Sequence, residues 1–324
     1  MNRYLTLTAL ALASSMSLGV MAATTPQAHK AGVAQAEAVS TVAAPERPVV
    51  YDLATLDTMQ ALGIPVAGVP KAQFPAYMAG YGDAKYTVAG TLFQPDYEAL
   101  SQIKPDLIIV GGRSAAKQDV LSKIAPTLDF SVKPATMLQD MERNITQIAA
   151  YDIAPCRING KQEQGKSLVA RIKSEVAELN QLAAKAQPGV LLMAINERIM
   201  PQAPGARFGF LFDVLGAKSQ LTAKDIPARG GPAFTFDDLA KLQPEWIYVI
   251  DRNTGVGAAA GGGEIIPSTK VFDNDKVKST PAGQKGQIVF LDPKGWYLMG
   301  STGPTALLNN VQQLKQAYRA AGIQ

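Results

Sequence analysis

The sequence contains one segment twice. Residues 97–113 read YEALSQIKPDLIIVGGR and residues 236–252 read FDDLAKLQPEWIYVIDR, at a constant offset of 139 residues. Each copy passes from a helix-like pattern through a proline into an apolar stretch, and ends on an arginine, Arg113 or Arg252. A duplicated unit of this size predicts two similar lobes rather than a solenoid of short repeats. The copies also share Glu98 with Asp237, Leu100 with Leu239, Ile103 with Leu242, Pro105 with Pro244, Asp106 with Glu245, Ile108 with Ile247 and Val110 with Val249.

Length, charge and missing motifs narrow the class of protein. The chain has 324 residues, 47% hydrophobic and 18% charged, and a formal net charge of +4. It carries no dense Lys/Arg stripe, so nucleic acid is not an expected partner. The single histidine, His29, and the single cysteine, Cys156, allow no zinc-type cluster and no internal disulfide. With neither a phosphate-binding loop nor a nucleophile elbow, we expect no catalytic residue and no intrinsic cofactor.

The first residues have the pattern of an export signal. Residues 1–22 combine Arg3, an apolar stretch and a small-residue cleavage site at its end, which predicts a signal peptide. A membrane anchor is the alternative, but the stretch is short and interrupted by Ser and Thr. Residues 23–46 read as a flexible leader. The residue directly after the cleavage site is not the cysteine that accepts a lipid, so we expect a periplasmic protein without a lipid anchor.

Helical and strand patterns alternate along the rest of the chain and indicate an α/β fold. We predict an N-terminal lobe over 47–158, a connecting helix over 159–188 and a C-terminal lobe over 189–324. Each lobe is expected to be Rossmann-like, with a parallel sheet. The long pattern at 159–187 predicts a helix of roughly 40 Å. A helix is also expected from Phe93 to Ile103.

Arg113 and Arg252 are the leading candidates for a binding site. Both follow predicted strands, and ligands of open α/β sheets bind beyond the carboxyl ends of the strands. A guanidinium is always charged and offers a planar set of donors suited to oxyanions. Pairing with a local carboxylate, such as Asp251 beside Arg252, is the alternative for either residue alone. Their repetition at equivalent positions favours a shared cleft.

Four further residues could reach the same cleft. Arg207 lies at a helix start in PGARFGF, and Arg229 lies in the loop PARGGP. Either could instead be a solvated surface arginine. Trp296 and Tyr297 follow a late strand in DPKGWYLMG, where aromatic rings could pack on flat ligand groups. Capping of the sheet edge is the alternative for this pair. Phe74, Tyr77 and Tyr81, in a Gly-rich loop of the first lobe, could form the opposite wall of the cleft, with structural packing as the alternative.

These landmarks resemble a known family. LxxIKPDLIIVGGR (100–113), LxxLQPEWIYVIDRN (239–253), ARFGFLFDVLG (206–216) and DPKGWYL (292–298) are similar to the iron-siderophore binding proteins of ABC importers, the two-lobed class III periplasmic binding proteins. Together the motifs resemble the subgroup that captures ferric catecholates. The resemblance implies that Arg113, Arg207 and Arg252 surround an anionic complex that carries Fe(III). It also implies that Tyr297 can ligate the iron where the siderophore leaves positions open.

The resemblance also implies partners, and one position departs from it. Some relatives place an iron-ligating histidine in the loop matching Pro227–Pro232, where this chain has Arg229. A further arginine would suit a fully coordinated, more anionic complex. In this class an acidic residue on each lobe contacts an inner-membrane ABC permease, and Glu98 and Asp237 occupy equivalent positions. A monomer is expected.

Ferric siderophore binding is therefore the predicted function, and four alternatives stay open. A haem carrier would need a dedicated axial ligand and a flat slot. A cobalamin carrier would need fewer cations. An exported enzyme on a two-lobed sheet would need a catalytic group that the motifs do not supply. A structural interaction protein would leave the paired arginines unexplained.

Overall fold

The computed structural model describes residues 46–150, 161–228 and 231–324. In the first lobe, five parallel strands lie in the order β3-β2-β1-β4-β5. Val49, Val50, Ile108 and Ile109 are completely buried, because helices cover both faces of the central strands. The strands are β1 (Pro48–Val50), β2 (Gly68–Lys71), β3 (Thr87–Thr91), β4 (Leu107–Val110) and β5 (Thr127–Asp129).

Local capping fixes the helices of the first lobe. In α1 (Leu53–Leu62), the Asp52 side chain accepts from Thr55 N, and Gly63 ends the helix with a left-handed φ of 65°. The expected helix from Phe93 is shorter than predicted: α2 (Tyr97–Ile103) begins after Asp96, whose carboxylate caps it. The remaining helices of this lobe are α3 (Gln118–Leu121) and α4 (Met137–Ala150).

The α/β fold with two lobes is confirmed, but the sheet of the second lobe is mixed and not purely parallel as expected, because its edge strand runs antiparallel. Its order is β7-β6-β8-β9, and β6 pairs antiparallel with β7 while the other pairs are parallel. The cause is a tight hairpin turn at Asn196, which has φ 53°. The strands are β6 (Gly189–Ile195), β7 (Arg198–Gln202), β8 (Trp246–Asp251) and β9 (Ile288–Leu291).

Seven α-helices of the described part of the chain follow β7. They are α6 (Phe210–Asp213), α7 (Phe236–Leu242), α8 (Arg252–Val256), α9 (Ser268–Val271), α10 (Asp275–Lys278), α11 (Pro281–Lys285) and α12 (Pro304–Ala320). One turn of π-helix, Lys294–Leu298, lies between β9 and α12.

The duplicated segment has the same backbone in both lobes. Helices α2 and α7 are each seven residues long and are followed by β4 and β8. Each helix ends on a non-glycine residue in the left-handed region, Lys104 at φ 51° and Gln243 at φ 49°. Arg113 and Arg252 therefore leave equivalent strands of the two sheets.

One long helix, α5 (Gln162–Ala183), connects the lobes. Its 22 residues span about 33 Å, shorter than the roughly 40 Å expected. It packs against α4 and α12. The buried Lys315 of α12 pairs with Glu175 at 2.8 Å and with Glu178 at 2.7 Å. This packing and the ion pairs hold the two lobes together along the helix.

The chain crosses between the lobes a second time after β9. Leu298, Met299 and Ala306 are buried in the hydrophobic core of the first lobe, although β9 belongs to the second sheet. The π-helical turn at Lys294–Leu298 therefore runs along the junction of the lobes.

No described helix is both long and apolar enough to cross a membrane.

Candidate functional site

A cleft of about 810 Å³ lies between the lobes, within the size range of small-molecule sites. Residues that follow every strand of the first sheet line it. Residues that follow β8 and β9 of the second sheet line it as well. This is the position that strand polarity predicts for a ligand. Its charged lining among the described residues comprises Arg113, Arg207, Arg252, Lys71, Lys133 and a single carboxylate, Asp52.

Arg113 enters the cleft from the first lobe. It follows β4 through Gly111 and Gly112, and Gly112 has a left-handed φ of 48°. Its Nη1 donates to the carbonyl oxygen of Leu298 at 3.0 Å. Burial lowers the pKa of Arg113, and the nearby charge of Arg207 lowers that pKa further. The site thus holds two cations close together in a partly desolvated setting, which favours an anionic guest.

Arg207 enters the cleft from the second lobe, in the turn before α6. Its Nη2 donates to the Tyr297 carbonyl oxygen at 3.2 Å. Its guanidinium lies 4.8 Å from the centre of the Phe208 ring and 5.2 Å from that of Tyr297. These cation-π contacts orient an otherwise exposed side chain.

Arg252 is the first residue of α8 and also lines the cleft. Its Nη1 donates to Asn253 Oδ1 at 2.9 Å and to the Ala258 carbonyl at 3.3 Å. The neighbouring Asp251 does not neutralise it, because that carboxylate accepts from Thr254 N and Ser268 N.

The alternative of local ion pairing therefore does not account for these arginines. Within the described ranges, none of the three forms a salt bridge with a carboxylate. Asp52 attracts Arg113 electrostatically without forming a salt bridge with it. The three positive charges therefore exceed the one negative charge of the described cleft lining and favour an anionic guest.

Tyr297 lines the cleft, whereas Trp296 does not. Tyr297 is half-buried in the π-helical turn, and its ring centre is 5.8 Å from that of Phe208. Its hydroxyl makes no hydrogen bond to the part of the chain that the structure describes. Trp296 is 0% exposed and stacks on Phe210 at 4.9 Å, inside the core. The prediction that Trp296 contacts ligand is wrong in this structure, because the turn directs successive side chains to different sides.

The first-lobe aromatics that could have formed a wall are packed instead. Tyr81 donates its hydroxyl to the Leu56 carbonyl at 3.0 Å, and Tyr77 donates to Asp57 at 3.1 Å. Phe74 packs on the ring of Tyr81. The packing alternative holds for all three.

Sequence reasoning missed several residues of the cleft, notably Lys71, Phe93 and Lys133. Each lies at or just beyond the end of a short strand, β2, β3 or β5. The end of β2 was the one usable signal, because Val66–Val69 reads as a strand. Asp52 was also missed: burial raises the pKa of its carboxyl, and hydrogen bonds from Thr55 oppose that shift.

Arg229, the signal peptide (1–22) and Cys156 lie outside the described residues. In the described ranges, no group of three His, Cys, Asp or Glu side chains is arranged to hold a metal ion.

Glu98 and Asp237 lie at matching points on the molecular surface. Each is exposed in the first turn of its helix, α2 or α7. Asp237 pairs with Lys276 at 2.5 Å, whereas Glu98 forms no ion pair with any described residue.

Known proteins match this chain along most of its length. The model of the periplasmic binding protein family matches residues 49–294. Petrobactin-binding protein YclQ of Bacillus subtilis (strain 168) is 30% identical over 275 residues, covering 84% of this chain and 82% of that protein. Its crystal structure superposes with a TM-score of 0.75, covering 86% and 93% of the two chains. Ferric-anguibactin-binding protein FatB of Vibrio anguillarum is 26% identical over 278 residues, covering 85% and 83%.

Proposed function

The chain belongs to the periplasmic binding protein family, and from this premise we propose that it captures an anionic ferric siderophore and delivers it to an ABC importer. We assign the siderophore to the catecholate class. The protein acts as a carrier and not as an enzyme, and Fe(III) is its cargo within the siderophore complex. The names of YclQ and FatB, which refer to petrobactin and to ferric anguibactin, support this choice of ligand.

One observation carries the proposal: arginines from both lobes line a single cleft without carboxylate partners among the described residues. Three catecholates around Fe(III) form a trianion, and Arg113, Arg207 and Arg252 provide three matching positive charges. Charge-assisted hydrogen bonds contribute about 1.5–3 kcal/mol each, so three contribute about 5–9 kcal/mol. A nanomolar dissociation constant requires about 12 kcal/mol, so ring and apolar contacts must contribute as well.

Tyr297 adds a second mode of binding to this proposal. A half-buried hydroxyl beside Arg207 could coordinate Fe(III) when the siderophore occupies fewer than six positions. The phenolate would then be stabilised by the iron and by the guanidinium. A hexadentate siderophore would leave Tyr297 as a hydrogen-bonding and packing residue.

Delivery requires contact with a permease, and we assign that contact to Glu98 and Asp237. Their equivalent positions in the repeat place one carboxylate on each lobe. The protein would act as a monomer in the periplasm, released by cleavage after the signal peptide and without a lipid anchor.

A binding panel tests the proposal. The intrinsic fluorescence of the purified protein is titrated with ferric catecholates, a ferric hydroxamate, haem and cobalamin. Tight quenching by ferric catecholates is expected. Tight binding of only a neutral hydroxamate, of haem or of cobalamin would contradict it.

A further inference from the structure

Besides the three arginines, Phe93 and Lys71 line the cleft. They lie at the edge of the first sheet. Strands β2 and β3 are neighbours, and Lys71 is paired in register with Thr91, two residues before Phe93. An aromatic ring and an ammonium group therefore leave adjacent strand ends at one corner of the cleft. β3 is the edge strand, so this corner lies at one side of the cleft opening.

The turn that carries Phe93 is held by its own hydrogen bonds. Thr91 N donates to the Gln94 carbonyl at 2.8 Å, and Thr91 Oγ1 accepts from Phe93 N at 3.3 Å and from Gln94 N at 3.0 Å. Gly90 has φ 112°, and a Cβ there would lie 2.4 Å from the Gln94 carbonyl oxygen. The backbone at Phe93 is thus ordered before a guest arrives, which lowers the entropy cost of a contact.

Phe93 is 62% exposed, more than any other large hydrophobic side chain of the described residues. Its ring belongs to none of the hydrophobic clusters and packs on no other described aromatic ring. Lys71 is exposed and forms no ion pair within the same ranges. An exposed ring favours offset stacking on another flat ring, and a free ammonium favours oxygen anions.

We infer that Phe93 and Lys71 form an aryl-recognition corner, which selects ferric complexes bearing phenolate-type rings over ring-free anionic ferric complexes. The Phe93 ring stacks on an aryl ring of the guest, and Lys71 attracts the oxygen anions on that ring. This inference rests on the proposed function and adds a second specificity element to the three arginines.

The test compares two ferric probes on one set of variants. Fluorescence quenching gives the dissociation constants for a ferric tris-catecholate and for ferric dicitrate. Phe93→Ala is expected to weaken the catecholate complex by about fivefold to tenfold, in the range of one ring-ring contact. It should leave ferric dicitrate within twofold. Phe93→Tyr should bind the catecholate as wild type does, while Phe93→Leu, which keeps apolar area without a ring, should resemble the alanine variant.

One control and one further test separate the corner from general effects. Tyr97→Ala removes an aromatic residue that is 43% exposed and does not line the cleft, so both constants should stay unchanged. Lys71→Ala should weaken the catecholate complex at low salt, and the loss should shrink in high salt because exposed charges are screened.

Wild-type affinity in Phe93→Leu or in Phe93→Ala would overturn the inference, as would equal losses for the two probes. If ferric dicitrate binds too weakly to measure, the affinities of Phe93→Leu and Phe93→Tyr for the ferric catecholate are enough to test the inference. Failure of the wild-type protein to bind any ferric complex is a separate result, which contradicts the proposed function and removes the basis of the inference.

Discussion

Arg113 and Arg207 come from different lobes, yet they donate to neighbouring carbonyl oxygens of one turn, those of Leu298 and Tyr297. The distances are 3.0 Å and 3.2 Å. The turn therefore fixes two like charges side by side, and this costs free energy until an anion binds between or above them. The pair is pre-organised for an oxyanion-rich guest.

The first prediction concerns Arg113 and Arg252, the two cleft arginines that follow equivalent strands of the lobes. Arg113→Ala and Arg252→Ala should each raise the dissociation constant for a ferric catecholate at least tenfold, a loss of about 1.4 kcal/mol. Arg113→Lys should also weaken binding, because an ammonium group lacks the planar donor set that serves both Leu298 and a guest. Quenching titrations measure the effect. Arg171→Ala, on the exposed face of α5, is the control and should bind normally.

The second prediction concerns Trp296. Its buried Nε1 has no hydrogen-bond partner within the described part of the chain. Trp296→Phe should therefore keep the stack on Phe210, remove an unsatisfied donor and lower the unfolding free energy by only about 1–2 kcal/mol. Trp296→Ala should cost about 3–5 kcal/mol by opening a cavity. Denaturant unfolding checks both values. In Trp296→Phe the affinity for ferric catecholate should stay within threefold. A tenfold loss of affinity would indicate that the Trp296 ring contacts the ligand.

The third prediction concerns Asp57, which links α1 to the start of α12 by accepting from Ala306 N at 3.0 Å. Burial raises the pKa of its carboxyl from an ordinary 3.8 to about 6, against opposing hydrogen bonds from Thr305, Ala306 and Tyr77. The folded state then binds this proton more tightly than the unfolded state does. The contribution of Asp57 to stability should therefore increase as the pH falls from about 7 towards 4.

Asp57→Asn tests the sign of that contribution, because the amide oxygen can still accept from Ala306 N. Urea unfolding at pH 7 and pH 5 should show a larger gain at pH 5 for wild type than for the variant. A larger gain for Asp57→Asn would contradict the assignment.

The fourth prediction concerns delivery. The double variant Glu98→Ala/Asp237→Ala should abolish iron uptake while leaving the dissociation constant of the purified protein within twofold. Both side chains are exposed and outside the cleft. Asp119→Ala and Glu163→Ala, on other exposed surfaces, provide the matched control for lost negative charge. Weakened ligand binding in the double variant would refute the assignment.

The fifth prediction separates the two modes of binding at Tyr297. With a tetradentate ferric catecholate, Tyr297→Phe should shift the charge-transfer absorption of the bound complex, because a phenolate ligand is lost. With a hexadentate complex the spectrum should not change. Identical spectra of wild type and variant for both complexes would exclude iron ligation by Tyr297.

The repeat made much of this site predictable. Arg113 and Arg252 follow apolar strands in equivalent segments, so strand polarity alone predicts that both lie at the ligand edge. Arg207 and Tyr297 were only two of several further candidates, and the family resemblance singled them out for roles at the ferric complex. Their positions beside the cleft depend on turns without a simple periodicity.

Other parts could not be derived because the deciding contacts are tertiary. Trp296 and Tyr297 are adjacent, and only the π-helical turn and the position of Phe210 determine which ring enters the core. The pattern at Phe93 predicts a helix, but the helix begins only after Asp96, whose carboxylate caps α2. Strand β7 contains Pro201 and polar residues, so its pattern was weak, and the hairpin at Asn196 makes it antiparallel.

The most direct measurement is a crystal structure with a bound ferric tris-catecholate, in which anomalous scattering locates the iron. One iron peak in the cleft is expected, with the guanidinium groups of Arg113, Arg207 and Arg252 directed at the catecholate oxygens. A peak elsewhere, or arginines that leave the guest and pair with carboxylates of the protein, would contradict the account.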